Sequence, residues 1–412
     1  MQLRRRQGGS KESAALRALT TSALALSGLA RVAAADTPID GVQTSYSFST
    51  YAEDDLPESK GVPDTEHGRY EVTTQQARIA APLTDHIDFA LEVTHEKMSG
   101  ASPWYNVPDA AGSPIQILSG PTIEDERNDF LLKTSYYLDN ARLGLSGGYS
   151  DENDYTAMNF GFDGETHFNE KNTTLSGGIG MSFDEINPVD AETEPTRPTH
   201  ETKQTYGLNI GLAQILNRRS LIQSSLSYAY GTGYLSDPYK EVYQELGAVY
   251  HPDMRPDNRH ALSWLTRYRR HIEEVEATAH LSYQYYWDTW GISSHTIEAS
   301  WYQSFGDSLQ ITPSIRYYTQ NEADFYVSYL RNTPSDDEFS SDYRLSTYGA
   351  LGFGIKAEYT FRTPWLIDVE WKLKAAYERY ISAGDLAWDS PSVEAPGLVD
   401  FKVYSFGITA VF

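Results

Sequence analysis

Apolar and polar side chains alternate along many stretches of this chain. In the clearest stretch, apolar residues occupy every second position from Ile367 to Ala375. The positions between them carry Asp368, Glu370, Lys372 and Lys374. Similar alternation covers residues 87–94, 174–183, 205–212 and 351–359. Side chains of a β-strand point alternately to two faces, so a period of two predicts strands with one apolar and one polar face.

The C-terminal stretch KVYSFGITAVF shows the same pattern. Tyr404, Phe406, Ile408 and Phe412 fall on one strand face, together with Ala410. A strand that ends in water gains nothing from an apolar face, whereas a strand that closes a sheet and faces lipid requires one. A terminal phenylalanine on such a face also resembles the insertion signal of outer-membrane proteins. We therefore expect the barrel-assembly machinery to recognise these residues.

The connections between the predicted strands alternate between short and long. Short turns rich in Asn, Asp and Gly are expected at 82–85, 139–140, 169–172, 217–220, 273–274, 306–308 and 362–364. Longer acidic loops are expected at 52–68, 97–123, 185–201, 231–257, 323–341 and 382–399, with shorter members at 151–153 and 288–291. This segregation is typical of an outer-membrane barrel with short turns in the periplasm and long loops outside the cell.

The predicted fold class is all-β: a transmembrane, antiparallel, up-and-down β-barrel. Counting the alternating segments gives about 16 strands, with roughly 12–14 if weak segments pair differently. The sheet must close, because an unpaired backbone group in hydrocarbon costs several kcal/mol. Pro313 falls within a predicted strand, where it removes a ladder hydrogen bond, so a bulge or a deviating strand end is expected there.

The N-terminal segment predicts secretion. Residues 1–35 combine a basic N-terminal region, an apolar stretch around 18–30 and small residues at a cleavage site before Asp36. These are the parts of a cleavable signal peptide. The predicted organisation is therefore a signal peptide at 1–35 and a single outer-membrane β-barrel domain at 36–412.

Composition narrows the function classes. The segment 1–35 holds six of the 33 Lys and Arg and one of the 57 Asp and Glu, which leaves 27 against 56 and a net charge of −29. Such an acidic chain is a poor ligand for nucleic acid. The absence of cysteine excludes disulfides, thiolate metal sites and cysteine nucleophiles. No cofactor is indicated, and the mean hydropathy of −0.51 excludes a helical membrane protein.

Two short motifs resemble chemical sites but are better explained structurally. Residues 144–148 match the G-x-S-x-G nucleophile elbow, which requires a strand-to-helix turn. Ser146 instead lies in a predicted strand with no helix after it, so small residues in a barrel wall are the favoured explanation. Residues 151–154 could bind a divalent cation but are expected to form a solvated acidic loop. No catalytic or metal residue is assigned.

The polar positions of the later strands carry charges of both signs. If the polar positions of each predicted strand face the barrel interior, the residues that line the lumen include Arg267, Arg269, Glu276, His280, Arg316, Asp368, Glu370, Lys372 and Lys374. A Lys or Arg that faces lipid at mid-depth costs about 2–4 kcal/mol, so these side chains should point inward. They predict either a charge ladder that selects solutes in a pore or an internal salt-bridge network that braces or blocks a narrow barrel.

An ordered series of segments carries a family resemblance. In chain order these are SGASPW at 99–104, GYLSDPYK at 233–240, RPDNRH at 255–260, YYWDTWGI at 285–292, SIRYYTQ at 314–320 and ADFY at 323–326. Together they closely resemble a widespread Gram-negative outer-membrane family known only as an uncharacterised domain, over essentially all of the mature chain. The resemblance implies an outer-membrane barrel without an assigned reaction.

The resemblance also implies a genetic neighbourhood. Members of the family are encoded near a flavin-attaching transferase, thioredoxin-like proteins and a small lipoprotein, which suggests a role beside envelope electron transfer. A periplasmic lipoprotein or flavoprotein is therefore an expected partner. This chain has no haem motif and no cysteine, so it cannot itself carry c-type haem or thiol redox chemistry. Its expected role is to surround or bind partner proteins that do.

The predicted function is a non-catalytic outer-membrane channel or conduit for small solutes or ions. Outer-membrane lipid and lipopolysaccharide are its expected surroundings. The first alternative is a plugged barrel that acts as a scaffold or docking site for periplasmic or surface redox partners. The second is a hydrolase built on the barrel, which would need Ser146 to meet a histidine.

Overall fold

The computed structural model describes most of the chain after the predicted signal peptide. Described are residues 37–412 except 63–66, 120–122, 190, 193, 195, 364–367 and 394. The predicted signal peptide at 1–35 lies outside the described residues. Within the described part, no helix is long and apolar enough to cross a bilayer.

Sixteen antiparallel strands form one closed barrel, which confirms the predicted fold class. They are β1 (Gln43–Glu53), β2 (Glu71–Thr84), β3 (Ile87–Gly100), β6 (Ile123–Leu138), β7 (Ala141–Asp151), β8 (Tyr155–Phe168), β9 (Thr173–Ile186), β10 (Glu201–Asn217), β11 (Ser220–Gly233), β14 (Asn258–Ile272), β15 (Ala277–Asp288), β16 (Ser293–Phe305), β17 (Leu309–Gln320), β18 (Tyr348–Arg362), β19 (Glu370–Ala383) and β20 (Phe401–Val411). Each barrel strand pairs with the next one in chain order.

The remaining elements lie between barrel strands. Two small hairpins interrupt the long loops: β4 (Pro103–Pro108) with β5 (Pro114–Leu118), and β12 (Glu241–Gln244) with β13 (Val249–Pro252). Short 3-10 helices span Glu58–Lys60, Glu273–Val275, Tyr343–Leu345 and Gly384–Leu386. Sequence alternation did not predict the hairpins, because four to six residues are too few to establish a period.

The first and last strands close the barrel. β1 pairs with β20 from Gln43 opposite Val411 to Glu53 opposite Phe401. Beyond the strand, the Phe412 backbone N–H donates to the Val42 carbonyl at 2.9 Å. The closure leaves no free sheet edge, which is the condition for a sheet to lie in hydrocarbon.

The outer face of the barrel is apolar. Along β10, Leu208 and Ile210 are about half exposed, and Phe406 on β20 is 60% exposed. Members of the same belt on other strands include Phe48, Leu132, Leu145, Phe160, Ile179, Leu226, Trp264, Leu281, Ile315, Phe353 and Leu373. An exposed apolar surface of this extent identifies a face that contacts lipid, so the barrel is of the membrane-spanning type.

Two predicted lumen positions are wrong because they lie outside the barrel strands. Glu276 ends the β14–β15 turn in a left-handed conformation with φ of 51°. Asp368 is exposed and lies two residues before β19, outside the strand. The alternation from Ile367 therefore extends beyond the strand itself, which begins at Glu370. A period of two does not mark where a strand ends.

Pro313 is accommodated without a bulge, contrary to expectation. The β16–β17 ladder pairs Ser300 with Ser314 and resumes at Gln303 opposite Ile311 in the same register. The interruption reflects the missing N–H of proline. Pairing on the other side continues, with Pro313 opposite Ile355.

Neighbouring residues of a barrel strand face opposite sides of the wall, so the same substitution at two adjacent positions tests which side faces lipid. Leu208→Arg places a charge in lipid near mid-strand and should destabilise the barrel by about 2–4 kcal/mol. Asn209→Arg places the same charge on the lumen side and should cost much less. Chemical unfolding of both variants in lipid vesicles measures the difference. Equal destabilisation would contradict the assigned faces.

Candidate functional site: the barrel lumen and its loop cap

One side of the lumen wall is lined by the smallest side chains. Cross-strand partners run from Ser146 through Gly161, Gly180 and Gly207 to Ala229. These residues alternate with the exposed apolar side chains of the outer face. Because they project little into the interior, they leave space along this side of the barrel. Residues 144–148 are thus part of a strand wall, and no histidine hydrogen bond in the described part of the chain reaches Ser146.

The wall on β2, β3 and β6 carries linked charges. Glu92 lies between Arg78 at 3.4 Å and Lys133 at 3.5 Å. Two inward-facing positions nearer the loops, Glu96 pairs with Arg127 at 2.7 Å. These pairs balance charge within the lumen surface, so this part of the wall is a braced network.

The wall on β18 and β19 holds three of the predicted lumen residues. Lys372 contacts Glu370 at 3.2 Å, and Lys374 contacts Glu358 at 3.5 Å. Lys356 approaches the same Glu358 at 3.6 Å. All five side chains are partly accessible to solvent. They therefore lie on a water-accessible wall near the short-turn end.

A second group of predicted residues surrounds a cavity of about 230 Å³ on the wall formed by β14 to β16. Arg267 and Arg269 lie on β14, next to His280 on β15. The other polar residues of this cavity are Ser282, Glu298, Ser300 and Tyr302. Arg316 lies outside it, opposite Glu298 in the β16–β17 register.

The long loops fold together into a cap over one mouth of the barrel. Its apolar core is a cluster of buried residues: Trp290, Ile292, Ala323, Phe325, Tyr326, Leu345 and Ala395. The rings of Trp290 and Phe325 meet edge to face with centroids 5.3 Å apart. Both clusters of buried apolar residues found in the described chain lie at this loop end, the second comprising Tyr70, Val72 and Met98. The packed interior of the protein is therefore in the cap and its rim.

Buried charges join the two largest loops of the cap. Asp342, which is fully buried, accepts from Arg344 at 2.5 Å and from Arg255 at 3.0 Å. Arg255 also pairs with Asp253 at 2.6 Å, and Arg344 with Asp237 at 3.3 Å. Loop 321–347 is thereby bound to loop 234–257 across a long sequence separation.

The electrostatics of this network favour the ionised Asp342. Burial would raise the pKa of its carboxyl, but Arg344, Lys240 and Arg255 outweigh burial and hold that pKa well below its usual range. Burial prevails at two neighbours, lowering the pKa of Lys240 and raising that of Asp253. Removal of one member would leave buried charge uncompensated.

Further contacts attach the cap to the first hairpin and the barrel rim. Lys240 Nζ donates to the Pro103 carbonyl at 2.9 Å, and the rings of Tyr105 and Tyr250 lie 5.0 Å apart. At the rim, the buried Arg69 pairs with Glu53 at 2.7 Å. The cap is thus one folded unit that includes both hairpins.

Gly291 allows one tight turn in the cap. Its φ is +86°, and a Cβ there would lie 2.3 Å from Asp324 Oδ1. The turn is held by Asp288, whose Oδ1 accepts from the backbone N–H groups of Trp290 and Ile292. The segment 285–292 therefore carries a local structural role in the cap.

The acidic segment 151–154 is only partly the solvated loop that we expected, since Asp151 and Asn153 are exposed but the two residues between and after them are not. Glu152 and Asp154 are buried and lie with the buried Asp125, their carboxylate oxygens all within 4.8 Å of one another. Asp154 accepts a hydrogen bond from Tyr239 at 2.6 Å. Packing of loop 234–257 against this short loop accounts for the burial, and sequence alternation contains no signal for it.

The buried network generates a prediction for the cap. Asp342→Asn removes the buried charge between two partly buried arginines and should cost about 3–5 kcal/mol of local stability. Hydrogen–deuterium exchange should then show lost protection in 234–257 and 321–347, with the barrel strands unchanged. Asp336→Asn, at an exposed position of the same loop, is the matched control.

The sign of the pH dependence follows from the lowered pKa of Asp342. Its contribution is fully present above the unfolded pKa of about 4 and is lost as pH falls further. The wild-type loops should remain protected at pH 5 and loosen only in stronger acid. Loops equally protected in wild type and Asp342→Asn at neutral pH would contradict this role.

Comparison with known proteins gives a family and only distant structural likenesses. A bacterial polysaccharide outer membrane secretin is 11% identical, with a TM-score of 0.44 and coverage of 90% of this chain and 97% of that one. CdiB from Acinetobacter baumannii is 9% identical, with a TM-score of 0.49 and coverage of 91% and 60%. A Pseudomonas aeruginosa FadL homologue is 10% identical, with a TM-score of 0.39 and coverage of 91% and 90%.

Such low values transfer no function to this chain. A comparison with curated protein sequences gives no match. The family model for DUF3570, described as a protein of unknown function, matches residues 16–387. This span includes all barrel strands except β20 and most of the cap, whose core residue Ala395 lies beyond it. The chain therefore belongs to the DUF3570 family.

Proposed function

We propose that the protein is an outer-membrane barrel of a Gram-negative envelope, with its short turns in the periplasm and the cap outside the cell. The apolar belt supports the membrane location, and the segregation of loop lengths supports the orientation. Tyr404, Phe406 and Ile408 lie exposed on the outer face of β20, followed by the exposed Phe412. This placement supports their role as the signal read by the barrel-assembly machinery.

Within that membrane, we propose that the barrel is a non-catalytic channel for small polar solutes or ions. The observation that carries this proposal is the character of the interior. Inward faces of the strands carry small, polar and charged residues that are partly exposed, while the buried apolar clusters lie at the loop end. A barrel of 16 strands is wide enough to leave an aqueous interior between such walls.

The cap gives this channel a gate. Its core and its buried ion network stabilise one arrangement of the loops over the mouth. Opening must separate these contacts or shift the loops as a unit, so the closed arrangement should dominate. The channel therefore conducts in rare openings, and agents that loosen the cap increase flow.

A test of gating uses the loosened cap. Planar-bilayer recordings of Asp342→Asn should show a higher open probability than wild type, because Arg255 and Arg344 each lose one of their two carboxylate partners. Asp336→Asn should behave like wild type. If wild type and Asp342→Asn are equally silent, the channel proposal fails.

A second test concerns the lumen wall. Replacing Lys372, Lys374 and Arg316 by Gln removes positive charge and should shift the reversal potential in a salt gradient toward cation selectivity. Arg218→Gln, in the exposed turn after β10, removes charge outside the lumen and should cause a smaller shift. Equal shifts would argue against ion passage along this wall.

The folded cap also favours a second candidate function, a docking scaffold. A loop layer with its own core offers a stable surface, and the family resemblance suggests a flavoprotein or lipoprotein of the envelope as partner. Co-purification of such a partner with a barrel that is silent in bilayers would favour the scaffold. Conductance from the isolated barrel favours the channel.

A further inference from the structure

Arg267 and Arg269 differ from most other cations of the lumen. Among the described residues, neither guanidinium has an ion pair or a side-chain hydrogen bond. Lumen cations that do have carboxylate partners include Arg78, Arg127, Lys133, Arg142, Lys203, Arg259, Lys356, Arg362, Lys372 and Lys374. A strand that faces lipid on its other side holds two uncompensated charges two residues apart, or about 7 Å along the strand.

The register places hydrogen-bonding groups beside both arginines. Arg267 lies opposite Ser282, and Arg269 lies opposite His280. One strand further, His280 lies opposite Ser300. The His280 ring packs on Tyr302 with centroids 4.2 Å apart, which fixes the imidazole at the cavity wall. The cavity thus combines two cationic forks with hydroxyl and imidazole groups.

The remaining charge of the cavity lies at its far edge. Glu298 faces Ser282 from β16 and makes no ion pair with either arginine. Its own cross-strand neighbour on the other side is Arg316. The Glu298 carboxylate therefore does not neutralise the guanidinium groups of Arg267 and Arg269. It would repel an anion from the β16 side of the cavity.

The cavity lies near the short-turn end of the barrel. Arg269 lies three residues before the end of β14, and His280 lies three residues after the start of β15. The cap covers the opposite mouth, so closed loops do not obstruct the approach. A ligand that approaches from the short-turn side therefore does not have to pass the cap.

We propose that this cavity is a binding site for a small oxyanion, a carboxylate or phosphate group held by Arg267 and Arg269. Planar guanidinium groups bind such anions through paired, charge-assisted hydrogen bonds. Ser282 and Tyr302 supply further hydroxyl donors, whereas the Ser300 hydroxyl donates to Glu298 at 3.4 Å. The inference deepens the proposed channel by assigning a small oxyanion to this part of its interior.

The test is equilibrium binding to the full mature chain in detergent. Isothermal titration with inorganic phosphate, and separately with acetate, should give saturable binding to wild type by at least one of them. Arg267→Gln with Arg269→Gln should weaken binding at least about tenfold, because two charge-assisted contacts are lost. Lys372→Gln with Lys374→Gln removes the same charge from the lumen and should change the Kd by less than about twofold.

Two results would overturn the site. One is the absence of saturable binding of both anions to wild type. The other is equal weakening by the two double variants, which would mean that general lumen charge attracts the anion. Heat-modifiable migration on gels verifies that both variants remain folded barrels.

The binding measurement is independent of conductance. Saturable phosphate binding lost only in the arginine variant supports the site even if the barrel is silent in bilayers. Conductance without saturable binding refutes the site and leaves the proposed channel intact.

Discussion

Closure of the backbone hydrogen-bond ladder is the constraint on which the other features of this protein depend. A strand in hydrocarbon has no water to satisfy its backbone, so β20 must pair with β1 along its length. Closure divides every strand into a lipid face and an interior face. Even Pro313, which cannot donate, keeps its neighbours in register. The polar residues of the interior are therefore a consequence of closure and are available for function.

The cap follows different physics from the barrel. Its loops are acidic and polar, yet they bury an apolar cluster and a balanced set of ionised side chains. Substitution of any one member of such a network is destabilising, because it leaves an excess of buried charge. The barrel supplies a polar interior, and the cap controls one of its mouths. The same chain therefore forms a barrel with a polar interior and a loop cap with a packed apolar core.

The sequence predicted the barrel well because strand alternation and short turns are local signals. It placed Arg267, Arg269 and His280 on polar faces but could not bring them together, since their contact depends on the register of two strands. Glu276 and Asp368 were misplaced because alternation continues past a strand end. The ion pairs of the cap were not predicted, because Arg255 and Asp342 lie far apart along the chain and strand alternation carries no signal for contacts between loops.

The central claim is that successive residues of each barrel strand alternate between contact with lipid outside the barrel and contact with water inside it. The chain contains no cysteine, so single cysteines can be introduced along β10 without background. Reaction of the reconstituted protein with a water-soluble thiol reagent should be fast at Thr205→Cys, Gly207→Cys and Asn209→Cys and slow at the positions between them. Uniform reactivity, or fast reaction at Leu208→Cys and Ile210→Cys, would contradict the account.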